Sequence, residues 1–138
     1  MKSAPKPRHQ EVIRPKQLFP NKPKHQSAIS DKNVKTMTTA IIQFPLPPGA
    51  PIDAVKNGFL ELAPFFQSPP GLLRKYFLLS DDGSTGGGVY LWTSRQTAQD
   101  FSETTIRPMI KEKFHIEPSI TYFETPVVVD NVSSHILS

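Results

Sequence analysis

The stretch LLRKYFLLS-DDGST-GGGVYLWT, residues 72–93, decides the fold. Leu72–Ser80 is rich in apolar and aromatic residues and predicts a strand, as does Gly88–Thr93. Between them Asp81-Asp82-Gly83-Ser84-Thr85 has the composition of a turn, so the two runs form a hairpin with a loop longer than two residues. The Gly86-Gly87-Gly88 run lacks the spacing of a phosphate loop and precedes a strand rather than a helix. A bulge or a close approach of backbones is the expected use of those glycines.

On either side of the hairpin the patterns repeat. Thr39–Phe44 is β-branched and apolar, and Pro45, Pro47, Pro48 and Gly49 stop it. From Pro51 to about Phe66, Ala54, Val55, Phe59, Leu62, Ala63 and Phe66 recur at helical spacing, with Pro64 expected to end or kink the helix. After the hairpin, Ser94 or Thr93 caps a second helix that runs to about Phe114, and Pro108 predicts a break near Thr105. Ile120–Glu124 reads as a fourth strand. Val127–Val129 continues as an extended segment, an edge or an exchanged strand. The order β-α-β-β-α-β is the ferredoxin-like arrangement, an α+β fold with a four-stranded antiparallel sheet. Both helices then lie on one face, which leaves the other for a partner, most simply a second copy in a homodimer.

The domain limits expected are 37–130, with a flexible tail over 131–138. Residues 1–36 carry nine Lys/Arg against two carboxylates, net +7, whereas 37–138 carry seven against ten, net −3. That arm, with five prolines and no periodicity, reads as disordered. It is a leader or an early start ahead of Met37, a tether to nucleic acid or an anionic membrane, or a targeting peptide whose prolines argue against it. The chain has no Cys, which excludes disulfides, thiolate zinc sites and cysteine nucleophiles. No apolar run approaches the roughly 20 residues that span a bilayer, so the expected location is cytoplasmic.

The hairpin carries the candidate chemistry. If Ser80 pairs with Gly86, Tyr76 faces Tyr90 and Arg74 faces Trp92. Arg74, Tyr76, Tyr90 and Trp92 would then form a catalytic surface able to stack a planar aromatic molecule, with Arg74 stabilising an enolate or phenolate oxygen. The plainer alternative is core or interface packing. His9, His25, His115 and His135 form no ligand cluster, and neither HExxH nor a GxSxG elbow is present. No cofactor or metal site is therefore expected.

Pro70-Gly71-Leu72-Leu73-Arg74-Lys75-Tyr76, followed by Gly87-Gly88-Val89-Tyr90-Leu91-Trp92-Thr93 and an Ala98–Phe101 helix, resembles the YdhR-type monooxygenases of the dimeric α/β-barrel superfamily. The resemblance covers roughly 38–130. It implies a homodimer whose sheets close a barrel, with a pocket between sheet and helices in each subunit. It also implies oxidation of phenolic or anthrone-like compounds by oxygen, without flavin, metal or haem. Lys75, Gly87, Gly88, Tyr90 and Trp92 match the family motif, whereas Arg74 and Tyr76 depart from it. The first reading is thus a cofactor-independent monooxygenase acting on an electron-rich aromatic or quinol-type small molecule. A non-catalytic protein binding a small aromatic ligand is the alternative, and nucleic-acid association through the basic arm ranks third; a membrane partner is not expected.

Overall fold

The computed structural model describes residues 37–138. These divide into two units between Thr125 and Pro126; the expectations for the basic arm lie outside the described residues.

In the first unit, β1 (Thr38–Pro45) leads to helix α1 (Ile52–Leu62) and a 3-10 turn (Ala63–Gln67) that begins just before Pro64. Strands β2 (Leu72–Leu79) and β3 (Thr85–Trp92) form the hairpin. Helices α2 (Arg95–Phe101) and α3 (Arg107–Phe114) follow, then β4 (Ser119–Glu124). The antiparallel sheet has the order β2-β3-β1-β4, with β1 and β3 central. This is the expected ferredoxin-like α+β fold.

The core forms on the sheet face that meets the helices. Ala40, Ile42 and Phe44 alternate along β1, Tyr90 and Trp92 along β3, and Ala98, Ile106 and Ile110 come from the helices. Ser94 caps α2 by accepting from the Thr97 N–H. Pro108 has the expected effect in a different form. The helix does not break but widens into a π-turn, Ser102–Ile106, where the Arg107 N–H reaches back to the Ser102 carbonyl. The turn sits just ahead of the position where proline supplies no donor.

The hairpin register differs from the expected one by a residue. The Ser80 N–H donates to Thr85 O, so the loop holds four residues rather than five. Asp82 fixes it, accepting from Ser80 Oγ, Ser84 N and Ser84 Oγ at 2.9, 3.0 and 2.7 Å. These bonds, Ser84's foremost, hold the Asp82 carboxyl down at about 2. Tyr76 therefore faces Val89, and Lys75 faces Tyr90. At the far end Leu72 still faces Trp92, because Leu73 is an extra residue, a β-bulge, before Arg74 faces Leu91.

Residues 126–138 form the second unit, a short hairpin of β5 (Val128–Asp130) and β6 (His135–Leu137) in place of a tail. Asp130 Oδ1 accepts from the Val132 and Ser133 N–H groups and holds its turn.

The glycines lie inside β3 rather than ahead of it. Gly87 is opposite Gln43 on the central strand β1, and a Cβ there would drive into the Ile42 carbonyl oxygen. At Gly86 a Cβ would meet only the flexible end of Leu46, at 3.3 Å. Gly87→Ala is therefore expected to cost about 3 kcal/mol and Gly86→Ala roughly 1 kcal/mol or less, compared by urea unfolding. Equal losses would show that the strand approach is not the constraint.

Candidate active site

A cavity of about 280 Å³ lies between the sheet and the helices. Ile42, Phe44, Lys75, Phe77 and Tyr90 form its sheet side; α1 supplies Ala54, Val55 and Phe59, and α3 supplies Met109, Lys113 and Phe114. No residue of α1 is fully buried, since the helix spans space rather than packed side chains.

The register delivers Lys75 to this cavity. Its Nζ lies 3.9 Å from the Phe77 ring centroid, 4.0 Å from that of Tyr90 and 4.5 Å from that of Phe66. Among the described residues no carboxylate lines the wall, and the other cation there, Lys113, belongs to an exposed residue. Burial lowers the Lys75 amine from its ordinary 10.5 to about 7. The ring faces pull in the opposite direction, because their quadrupoles favour the ammonium. Burial also raises the Tyr90 phenol above its usual range, so it stays neutral. Gly88 makes room for the amine: a Cβ there would lie 2.5 Å from Lys75 Nζ.

The four residues expected to share one surface are divided between the two faces of the sheet. Tyr90 lines the cavity. Trp92 lies beside it in the core, 1% exposed, stacked on Tyr90 at 6.4 Å and against Phe101 at 5.4 Å. Arg74 and Tyr76 point to the opposite face, where Arg74 Nη1 donates to Tyr76 Oη at 3.0 Å. Arg74 cannot stabilise an anion in the cavity. The cavity wall instead carries Lys75, which the motif match contains but hairpin parity hides. His115 caps α3 in a left-handed conformation, φ 58°, and is exposed, off the cavity wall. Among the described residues no three His, Asp or Glu side chains cluster as metal ligands, and no helix is long and apolar enough to cross a membrane.

The family model described as "Putative mono-oxygenase ydhR" matches residues 41–124, the sheet, both helical segments and the whole cavity wall. The chain belongs to the YdhR family. A comparison with curated proteins gives no match. Solved structures sharing the YdhR-type fold of this chain include a protein of unknown function from Nitrosomonas europaea, 16% identical, with a TM-score of 0.54 over 66% of this chain and 90% of that one. Another is the ActVA-Orf6 monooxygenase of Streptomyces coelicolor, solved with Nanaomycin D: 17% identity, TM-score 0.51, 68% of this chain and 91% of that one. A third is SnoaB, a cofactor-independent oxygenase from Streptomyces nogalater: 19% identity, TM-score 0.50, 65% of this chain and 93% of that one. At these identities the likeness establishes the fold, and family membership supports a monooxygenase-like function.

The buried amine makes stability depend on pH. Its folded value, about 7, lies below the unfolded 10.5, so between these pH values the unfolded chain binds more protons. Stability should therefore rise from pH 7 toward pH 10.5, by an upper bound of about 5 kcal/mol from the full drop. Lys75→Met should flatten this slope and be the more stable protein at pH 7. Urea melts of both proteins at pH 7 and 9.5 test this; parallel slopes would show that Lys75 is charged and solvated in the folded state.

Proposed function

We propose that the chain is a cofactor-independent monooxygenase that oxidises an electron-rich aromatic or quinol-type molecule held in the cavity, with Lys75 as the base. The observation that carries this reading is the amine in an apolar, ring-lined cavity. A cavity of about 150 Å³ holds benzene, so 280 Å³ suits a substrate of about two fused rings.

The neutral amine takes a proton from an activated C–H of the substrate and becomes an ammonium beside the carbanion it has made. With water excluded, that charge pair is stronger than in solution. The electron-rich carbanion reduces oxygen and forms a C–O bond. The peroxide recovers the proton from Lys75, then loses water to leave a carbonyl, so a methylene and O₂ give a ketone and H₂O. Phe66, Phe77 and Tyr90 supply the stacking surface for the planar ring system.

The outer face of the sheet bears Ile41, Tyr76, Val89 and Phe123, with Tyr76 and Phe123 half-exposed, and we assign it to a homodimer contact. Arg74 belongs to that surface and not to the chemistry.

Oxygen uptake with anthrone-type and quinol-type compounds tests both assignments. Lys75→Met should lower kcat by 100-fold or more, and the wild-type rate should rise with pH through about 7, because the base acts deprotonated. Arg74→Ala should leave the rate within a few-fold and shift the monomer–dimer balance in sedimentation. Uptake unaffected by Lys75→Met would remove the base assignment. Tight binding of these compounds without oxygen uptake would favour the second reading, a binding protein using the same cavity.

A further inference from the structure

Proton transfer leaves unused the nucleophilicity of the amine. Nζ sits among three ring faces, which offer it no ion pair, and among the described residues no carboxylate reaches the wall to tie it up. The bare Cα of Gly88 is what lets Nζ sit at the cavity wall, since a Cβ there would come within 2.5 Å of it. We propose that Lys75 also captures aromatic aldehydes in this cavity as an imine, which makes the cavity a covalent binding site for reactive carbonyl compounds.

The condensation needs no further reagent. The amine nitrogen attacks the carbonyl carbon, the C–N double bond forms and the C–O bond breaks. The oxygen leaves as water with the two hydrogens of the amine. An apolar wall favours the product because it holds little water to hydrolyse it back. The aryl group lies against the same rings that surround Nζ, and the neutral phenol of Tyr90 is a proton donor on the same wall. At pH 7 an amine lowered to about 7 is half unprotonated, against about one part in three thousand for an ordinary lysine. Lys113 provides the comparison within the molecule: it reaches the same cavity from an exposed position.

This capture consumes no oxygen and stands apart from the oxygenase reading. The test treats the full chain with 2-naphthaldehyde and sodium cyanoborohydride at pH 7 under argon, which reduces any imine to a stable secondary amine. Peptide mapping by mass spectrometry should find Lys75 labelled at least ten-fold above every other lysine, with the N-terminal α-amine as a positive control for the chemistry. Lys75→Arg should lose that adduct and leave the rest of the map unchanged. Labelling of Lys75 no greater than that of Lys113 would overturn the proposal, and the wild-type map alone decides this if the variant does not fold.

Discussion

The closure of the β2–β3 hairpin is the constraint on which the site depends. A loop of four residues, held by Asp82 and by the Ser80–Thr85 pairing, decides which side of the sheet the β2 side chains from Arg74 to Leu79 occupy. One more residue in that loop would exchange Lys75 and Phe77 for Arg74, Tyr76 and Leu78 beneath the helices. An always-charged guanidinium would then face an apolar space, at far greater desolvation cost than a lysine that can shed its proton. The Leu73 bulge confines this parity to one part of the strand, so that Leu72 still meets Trp92 in the core. Turn chemistry and bulge together bring a titratable group to the cavity while the ends of the strand pack as ordinary core.

The cavity sets two demands against each other. An amine in apolar surroundings favours its neutral form, whereas the aromatic rings that make the surroundings apolar also favour a cation at their faces. The group is thereby kept near the midpoint of its titration, where a proton is taken up and returned at little cost. The space itself reduces packing: α1 buries none of its residues fully. Stability given up there is what a protein gives up when it keeps room for a ligand.

Much of the fold is legible in the sequence because its signals are local. Strand ends at Pro45 and at Pro69-Pro70-Gly71, the Ser94 cap and the disturbance ahead of Pro108 each follow from one residue's covalent chemistry. The candidate site is legible only in part. Tyr90 and Trp92 share a face from simple alternation, and the structure keeps them together. Their partners depend on the loop count, and composition cannot say whether Thr85 belongs to the turn or to the strand. Its amide bonds to Ser80 Oγ while its carbonyl pairs with the Ser80 N–H, so it does both. Arg74 and Tyr76 therefore lie on the face opposite the one that simple pairing implies, and only the family motif points to Lys75. The residue three positions from Leu72 reaches the same side only because of the bulge, for which LLRK carries no distinctive signal.

The π-turn between α2 and α3 makes the length of this segment discontinuous in its effects. Each residue of an α-helix advances the next by about 100°. The wide turn holds one residue more than regular winding does, so removing one from Ser102–Ile106 would leave all that follows nearly in phase. Removing one residue between this turn and Met109 would instead rotate Met109, Ile110 and Phe114 off the cavity wall together. Substitutions can reshape this wall one side chain at a time, whereas a change of length beyond the turn replaces its whole α3 side in a single step.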